Sequence, residues 1–478
     1  MTPSLRLLCL LLPSCAGAAL FAAGQAPAGA EASRQGQTEI SLVISADPGA
    51  PPRYAVPDFI ALSSDAETVA VAKVIGQVLW DDLAYERELY MIARDTYASI
   101  PTARSVEAIA FDRWRELGAD GLVFGTVRKV DGQVRVEARL FSVRSRQAVF
   151  SQQYDGGAGN PRLFAHTIAD ELHREQRGLG GVARTKLAFS SDRDGDRVVG
   201  TVEKRDVKEI YIADYDGANA RRLTVNRNLN TFPVWTPDAR GVLYTSYVRG
   251  YPELVLSRIY EGLLLEPTRN HARDVQGFAP QSFLGVVSPD GKRVCFASNR
   301  DGNSELYIMN LDGTGLFRLT NHPAQDITPT WNAQGTQVAF TSDRRGQPAI
   351  YIIGADGTNL TALTTDGYAD RATWSPLGTE IAYASRTGPG LDIKVVELAT
   401  RQGRQLIKVV ELATRQVRQL TFGEGTNESP AFSPNGRHLA FTSTRAGRVQ
   451  VFTMARDGRD VRQITRTGNN FYPNWSPQ

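Results

Sequence analysis

The sequence predicts an α/β N-terminal domain followed by an all-β six-bladed β-propeller that its C-terminal strand closes. Two observations predict the propeller: a four-strand pattern recurs after residue 185, and the spacing of its parts is constant. A third observation, the mixed helical and strand periodicity of residues 39–180, predicts the preceding domain. We therefore expect a signal peptide at 1–30, the α/β domain at 31–180 and the propeller at 181–478.

The first 30 residues have the composition of a secretory signal peptide. One charge, Arg6, precedes an apolar stretch at residues 7–23, which Pro13 and Ser14 interrupt. Because this stretch is short and broken for a membrane anchor, we expect export followed by cleavage. Lipidation at Cys15 is the minor alternative, since Pro13 fits a lipoprotein cleavage box poorly.

Net charge and cysteine content narrow the class of protein further. The formal net charge is +3 over 478 residues, which gives no general attraction to nucleic acid or to an anionic membrane. Beyond the predicted signal only Cys295 remains, inside the apolar run Val294–Phe296. One thiol makes no internal disulfide, so we interpret Cys295 as a small core residue. Export without disulfides suits a periplasm-like compartment.

The α/β domain is predicted from alternating strand and helix patterns rather than from a repeat. Strands are predicted at Glu39–Ile44, Ala55–Ile60, Leu122–Val127, Val134–Val143 and Ala148–Tyr154. Helices are predicted at Ala66–Tyr85, Val106–Leu117 and Pro161–Gln176. The mixture indicates a layered domain with helices packed on a sheet.

Each repeat of the second domain opens with a strand in which apolar and aromatic residues alternate, as Val338 and Phe340 do. A second strand, an Asp-Gly turn that supplies positive φ, and a short strand ending in Leu-Thr or Ile-Thr follow. A strand that ends near Trp-Ser-Pro leads into the next unit. Val338 and Leu363 are 25 residues apart, and Trp331 and Trp374 are 43 apart. This constant phase favours a propeller over a sandwich.

The two ends of the array complement each other. The first unit begins at Lys186 with the strand that is second in every other unit, and the last ten residues, 469–478, form a first strand with nothing after it. Pairing the two removes both free sheet edges. We therefore expect the C-terminal segment to close the ring as part of the first blade.

One unit contains a duplicated segment. Residues 393–406 recur at 407–420, and the two copies differ only at Gly403 and Val417. A tandem duplication or a sequence-assembly error explains the repeat. The extra copy forms either a bulged loop or an additional outer hairpin strand on blade five, and its alternating residues favour the strand.

The sequence contains no recognisable catalytic motif. Gly-x-Ser-x-Gly, the nucleophile turn of the hydrolases that carry propellers, is absent. The five histidines, His166, His173, His271, His322 and His438, show no metal-binding spacing. We interpret each as a satisfied or surface side chain, and we expect no catalytic residue and no cofactor.

One loop partly matches the calcium-binding loop of an EF-hand. Asp192, Asp194, Asp196 and Glu203 stand at liganding positions. Arg197 occupies the position that requires Gly, and strands rather than helices flank the loop. We therefore expect no metal there.

Six motifs from both domains are informative when taken together: Val56–Phe59, Leu117–Gly125, Ala165–Glu171, Ile212–Gly217, Ser288–Gly291 and Trp374–Pro376. They resemble motifs of the TolB family, the periplasmic component of the Tol–Pal envelope system of Gram-negative bacteria. Those of the α/β domain are the more specific, because propeller repeats are common in exported proteins. The resemblance implies a periplasmic, monomeric adaptor without catalytic activity. Such an adaptor supports outer-membrane integrity and constriction in cell division, binds no nucleic acid, and meets membranes only through its partners.

The resemblance also implies two partner-binding regions, one for the lipoprotein Pal and one for TolA. Pal is expected at the propeller mouth, on loops just before each innermost strand: Thr231, Phe232, Gln281, Ser282, Ile327, Thr328, Asp370, Arg371, Asn427, Glu428, Phe471 and Tyr472. The family has His where Gln281 stands and an acidic residue where Thr328 stands, which suggests a diverged Pal.

TolA is expected at the N-terminal segment around residues 37–44. Glu39, Ile40, Leu42 and Ile44 alternate as in a strand that adds to the edge of a sheet, although an ordinary first strand of the domain has the same pattern. Two alternatives to the adaptor are an exported propeller that binds a sugar or peptide, and a hydrolase without a known motif.

Overall fold

The computed structural model describes residues 51–195, 207–268, 280–365, 367–398 and 416–478. These residues form one mixed sheet with helices, followed by six four-stranded sheets. The predicted signal peptide at 1–30 and the predicted strand Glu39–Ile44 lie outside the described residues. The architecture confirms the predicted fold class.

Residues 51–180 of the α/β region contain six strands, three α-helices and two 3₁₀-helices. In chain order they are β1 Arg53–Ala55, β2 Ile60–Ala61, α1 Ala66–Glu86, β3 Tyr90–Met91, the 3₁₀-helices Arg94–Ser99 and Val106–Ala108, α2 Phe111–Glu116, β4 Gly121–Val130, β5 Gln133–Ser142, β6 Ala148–Gly156 and α3 Pro161–Arg177. The sheet order is β3-β1-β4-β5-β6, with β2 also paired to β4. The strands β1 and β2 run parallel to β4, whereas β4, β5 and β6 are antiparallel neighbours.

Local signals account for the two long helices. The α1 helix begins where the Thr68 backbone N–H donates to the Asp65 carboxylate at 2.9 Å, and it ends at Arg87, whose φ is 61°. The α3 helix has Pro161 in its first turn and ends at Gly178, whose φ is 65°. Within the described ranges, no helix is long and apolar enough to cross a membrane.

Two predicted elements of this region are wrong in extent. The expected strand Ala55–Ile60 is divided into β1 and β2, because Pro57 donates no hydrogen bond and interrupts the pairing with β4. The expected helix Val106–Leu117 is divided into a 3₁₀ turn and the short α2. Ala110, at ψ 64°, lies outside the helical region and separates the two pieces.

The mixed sheet is covered on both faces. Helices α1 and α3 bury Ile75 and Ile168 against one face, and Trp114 of α2 packs with Phe141 on the other. The first core continues into the propeller through Leu187 and Trp475. The α/β region and the first blade therefore share one hydrophobic core.

The described part of the propeller contains 24 strands, four in each blade. They are β7 Lys186–Ser191, β8 Glu209–Asp214, β9 Arg221–Arg222, β10 Asn230–Trp235, β11 Gly241–Ser246, β12 Glu253–Arg258, β13 Leu263–Leu265, β14 Ser282–Val287, β15 Arg293–Ser298, β16 Glu305–Asn310, β17 Phe317–Arg318, β18 Asp326–Trp331, β19 Gln337–Ser342, β20 Ala349–Gly354, β21 Thr361–Ala362, β22 Ala369–Trp374, β23 Glu380–Arg386, β24 Leu391–Glu397, β25 Val417–Gln419, β26 Asn427–Phe432, β27 His438–Ser443, β28 Gln450–Ala455, β29 Arg462–Gln463 and β30 Asn470–Trp475. Aromatic and aliphatic side chains of the middle strands fill the space between blades. Cys295 on β15 is fully buried there, as predicted.

The C-terminal strand closes the ring as predicted. Strand β30 pairs antiparallel with β7, with Asn470 opposite Ser191 and Trp475 opposite Leu187. The indole N–H of Trp475 donates to the Thr185 hydroxyl at 2.7 Å. The first blade is therefore assembled as β30-β7-β8-β9 from both ends of the propeller.

The duplicated segment contributes to two strands of blade five. The first copy supplies part of β24, and Val417–Gln419 of the second copy forms β25, the outer strand. These two strands pair directly, with Val396 opposite Val417. Residues 399–415, where the predicted additional hairpin strand falls, lie outside the described residues.

Candidate partner-binding mouth of the propeller

Every innermost strand carries the same irregularity at its third residue. That residue has a φ of 50–55° in each blade: Phe232, Leu284, Thr328, Arg371, Ser429 and Tyr472. Strand pairing shifts register at this point, as between Thr231 and Val234. Left-handed φ is uncommon outside glycine, so its recurrence in all six blades marks a β-bulge that belongs to the fold.

The six bulges turn their side chains towards the axis of the propeller. All six bulge residues line a central cavity of about 140 Å³. They lie near the start of the innermost strands, at what we call the mouth end. The opposite end, where these strands finish in turns such as 433–437, is the turn end.

The Arg371 side chain lies across the central cavity, which we also call the channel, at the level of the bulges. It extends from blade five, and its guanidinium lies 4.9 Å from the ring centre of Tyr472 and 5.8 Å from that of Phe232. Those two rings are tilted by 31° with their centres 4.0 Å apart, and Arg371 Nη1 also donates to Ser429 Oγ at 3.1 Å. The side chain therefore spans the ring and joins blade five to blades one, two and six through cation–π and hydrogen-bond contacts.

The mouth is apolar on one side and charged on the other. Phe471, Tyr472, Phe232, Phe283 and Leu284 form the apolar side on blades one to three. The Lys208 ammonium lies 4.0 Å from the centre of the Phe471 ring and borders this side.

The charged side belongs to blades five and six. Asp370 accepts hydrogen bonds from the Thr341 hydroxyl at 2.9 Å and the Tyr368 hydroxyl at 3.3 Å. Burial and the nearby Asp370 charge raise the pKa of Tyr368, which keeps this donor protonated. Glu428 is half-buried, and its carboxylate has no hydrogen-bond or ion-pair partner among the described residues. An open carboxylate and a guanidinium thus lie side by side at the mouth.

Most of the predicted mouth residues lie at the bulges. In two blades, however, the predicted residues are not the ones that match the bulge positions of the other blades. Thr231, Phe232, Ile327, Thr328, Asp370, Arg371, Phe471 and Tyr472 occupy the second and third positions of their strands. The corresponding pairs of blades three and six are Phe283–Leu284 and Glu428–Ser429, rather than Gln281–Ser282 and Asn427–Glu428. The predicted residues also lie mostly within the innermost strands, not in loops before them. The role of all of them in partner binding remains a prediction.

The two misplaced residues that fall on strands have structural contacts. Ser282 is fully buried and accepts a hydrogen bond from Arg300 Nη2 at 3.3 Å. Asn427 is likewise buried and accepts from Arg445 Nη2 at 3.0 Å. Gln281 is exposed just before its strand. Sequence reasoning missed Phe283, Leu284 and Ser429. Leu284 and Ser429 lie, as every bulge residue does, three residues before the last residue of the innermost strand.

Other predicted sites have definite placements. The Asp192 carboxylate accepts from Asn469 Nδ2 at 2.8 Å, and the Asp194 carboxylate from the Tyr211 hydroxyl at 2.7 Å. Both carboxylates of the EF-hand-like loop that the structure describes are therefore engaged in protein contacts. Asp196, Glu203, His271 and the N-terminal residues Glu39, Ile40, Leu42 and Ile44 lie outside the described residues.

These features define the class of protein: a closed six-bladed propeller that follows an α/β domain. Two family models match the chain: the TolB amino-terminal domain over residues 29–149, and the TolB beta propeller domain over 201–408 and 392–478. The propeller model alone covers more than half of the chain. The chain therefore belongs to the TolB family, which confirms the resemblance seen in the sequence.

Relatives and solved structures agree with this assignment. The chain is 31% identical over 305 residues to the Tol-Pal system protein TolB of Anaeromyxobacter dehalogenans strain 2CP-C, covering 61% of this chain and 66% of that protein. It is 29% identical over 268 residues to the protein of the same name from Desulfosudis oleivorans, covering 56% and 57%. The chain thus spans less than two thirds of these relatives. The crystal structure of TolB from Acinetobacter baumannii has the same fold, with a TM-score of 0.71, 23% identity and coverage of 90% of this chain and 98% of that one.

Proposed function

We propose that the protein is a non-catalytic periplasmic adaptor of the Tol–Pal envelope system. In this proposal the propeller mouth binds Pal and the N-terminal segment around residues 37–44 binds TolA, so that the adaptor supports outer-membrane integrity and constriction during division. Membership of the TolB family supports the assignment to the Tol–Pal system, and the two relatives described above are both named Tol-Pal system protein TolB.

The observation that most directly supports partner binding is that the mouth has an apolar side and a charged side. The innermost strands present an aromatic pair, Phe232 and Tyr472, and the open carboxylate of Glu428 at the same mouth. Protein interfaces typically combine aromatic anchors with a charged group that selects the partner. Binding of a folded partner domain over the ring would bury both sides of the mouth at once.

A direct binding measurement tests the Pal proposal. The full chain is titrated by calorimetry with the soluble domain of a Pal lipoprotein from the same organism. Tyr472→Ala is expected to weaken binding by roughly tenfold or more, because it removes an aromatic side chain from the centre of the interface. Phe317→Ala, on an outer strand and 45% exposed, is the matched control and is expected to leave binding unchanged. Undetectable binding by the wild-type chain would count decisively against the proposal.

The same experiment separates the alternatives. An exported propeller that binds a sugar or peptide would show no heat with the Pal domain but would bind oligosaccharides or peptides at the mouth. For TolA, deletion of residues 37–44 is expected to abolish binding of the TolA C-terminal domain while Pal binding persists. Retention of TolA binding by the deletion variant would refute the role of this segment.

A further inference from the structure

A polar cavity lies at the turn end, away from the mouth where the partner is proposed to bind. It has a volume of about 370 Å³ and lies where the end of α1 meets turns and an outer strand of blades five and six. Arginines from four separate segments line it: Arg87, Arg418, Arg437, Arg456 and Arg459. This many guanidinium groups around one cavity is unusual for a purely structural contact, because like charges repel.

The acidic side chains around the cavity do not balance these arginines. Burial raises the pKa of Glu86 to about 8, so this lining residue is mostly neutral at neutral pH. Glu88 pairs with Arg437, and Asp457 and Asp460 pair with Arg87. Glu380 pairs with Arg456 at 2.7 Å and with Arg418 at 3.6 Å. Arg459 pairs with Asp457 as well. The residues that line the cavity include five arginines but only three acidic residues, Glu86, Glu88 and Asp457, so basic side chains predominate in its wall.

Several donors at the cavity are not used. Arg437 Nη1 is buried and has no hydrogen-bond partner among the described residues. Arg456 donates through Nε to Glu380, and within the described ranges neither of its terminal nitrogens has a partner. The planar guanidinium fork matches oxyanions, in particular phosphate, through paired N–H donors. The unused donors and the predominance of basic side chains therefore indicate the same type of ligand.

His438 forms part of the same wall. Its Nε2 lies 3.2 Å from the Tyr85 carbonyl oxygen, and its Nδ1 is buried without a partner among the residues that the structure describes. Burial and the neighbouring arginines lower the pKa of His438 to about 4, so the ring is neutral. An anion in the cavity would offset the charge of those arginines and raise the pKa of His438. The pKa of His438 therefore indicates whether an anion is bound.

We propose that this cavity binds a phosphate-type oxyanion, held by Arg418, Arg437 and Arg456. An anion bound there contacts the end of α1 together with blades five and six. Its binding therefore fastens the α/β region to the propeller at a point far from the mouth. The ligand is either a soluble phosphate or the phosphate of a lipid headgroup, since both present the same oxygens to the guanidinium groups.

Titration of the full chain with inorganic pyrophosphate at constant ionic strength tests the proposal. Saturable binding is expected, with an affinity that falls roughly tenfold in Arg418→Gln and in Arg456→Gln, because each loses charge-assisted hydrogen bonds. Arg240→Gln is the control, since Arg240 also sits at the turn end, is 55% exposed and pairs with Glu261 at 3.2 Å. Equal affinity in all variants would mean an adventitious ion only and would overturn the site.

Two further measurements complete the test. Pyrophosphate is expected to raise the pKa of His438, followed by NMR of labelled histidine, and an unchanged pKa at saturation would overturn the site. Flotation with phosphatidylglycerol vesicles distinguishes the two sources. Flotation that depends on Arg418 without pyrophosphate binding assigns a lipid headgroup, whereas pyrophosphate binding without such flotation assigns a soluble phosphate. If neither depends on Arg418, the proposal fails.

Discussion

The two ends of the propeller differ in what contacts their polar side chains. At the turn end, the α/β region packs against blades one and six, and buried polar groups such as Asp82, His166 and Tyr215 contact each other within the chain. At the mouth end, the Glu428 carboxylate has no partner among the described residues and the aromatic pair Phe232–Tyr472 stands beside it. The comparison teaches that one end is already an interface within the chain, whereas the other presents groups for a partner from outside.

The turn-end interface is held by buried hydrogen bonds between distant segments. Asp82 of α1 is 2.8 Å from His166 Nδ1 and accepts from the Tyr215 hydroxyl at 2.7 Å. The Tyr85 and His438 rings stack with their centres 4.4 Å apart. Because these groups are shielded from water, removal of one partner lowers the free energy of unfolding more than it would in an exposed pair.

The largest effect is expected from removing the strand that spans both ends. Deletion of residues 469–478 removes β30, leaves the edge of β7 unpaired and removes Trp475 from the shared core. The loss is expected to exceed about 5 kcal/mol, the lower end of the stability of a domain, and to abolish cooperative unfolding. Scanning calorimetry measures this. Removal of Gln478 alone is the control, and an unchanged thermal midpoint in the longer deletion would refute closure as a source of stability.

The next largest effect is expected at the buried carboxylate of the turn end. Asp82→Ala leaves His166 and Tyr215 without their shared acceptor, and it is expected to lower the free energy of unfolding by about 3–5 kcal/mol. Asp112→Ala is the matched control, because the pairs of Asp112 are exposed and should contribute at most about 1 kcal/mol. Urea unfolding of both variants measures the difference. Similar small losses would show that the interface does not depend on this contact.

A third expectation concerns pH. His438 and His173 have pKa values of about 4 in the folded chain because burial disfavours the charged ring, against an ordinary value of 6.5. The unfolded chain therefore binds more protons between these values, and stability falls as pH decreases from about 6.5 to about 4. His438→Gln is expected to remove the contribution of one histidine to this pH dependence, about 2–3 kcal/mol in the free energy of unfolding over the interval. An identical pH profile in the variant would contradict the assignment.

Two other groups of the same interface act in the opposite direction. The pKa of His166 is raised to about 9 by the Asp214 carboxylate, 3.9 Å from Nε2, and by the hydrogen bond to Asp82, against the effect of burial, and burial raises the pKa of Glu86 to about 8. The folded chain therefore binds more protons than the unfolded chain in these ranges, and stability falls as pH rises from about 4.5 to 8 for Glu86 and from about 6.5 to 9 for His166. For these four groups together, the interface is expected to be most stable near pH 6.5, as urea unfolding at a series of pH values would show.

The smallest effect is expected at the mouth. Arg371→Ala removes the cation–π contacts across the channel but buries no new polar group, and it should lower the free energy of unfolding by about 1 kcal/mol. Arg386→Ala, which removes a single contact to the Tyr368 ring, is the control. Urea unfolding measures both. A loss above roughly 3 kcal/mol would make Arg371 part of the structural core and weaken the contrast between the two ends.

Prediction from the sequence succeeded where a feature is repeated and failed where it depends on register. The closing strand followed from a missing strand at one end of the array and a surplus strand at the other. The positions of Leu284 and Ser429 did not, because the predicted pairs of blades three and six lie too early in the chain by about two residues and one residue. The bulge that turns these side chains inward is set by pairing with the neighbouring strand, which has no signature of its own.

The sequence by itself determined the number of blades and the turn chemistry, because both arise from periodicity among residues close together in the chain. It also predicted the closure, because the repeat showed that one end of the array lacks the strand that the other end supplies. Only the tertiary structure decided which side chains meet at the channel and at the turn end. Tyr85 and His438 are 353 positions apart, yet they stack in one interface. Such contacts, and the pKa values and unused donors that follow from their burial, depend on how the closed ring and the α/β region pack together.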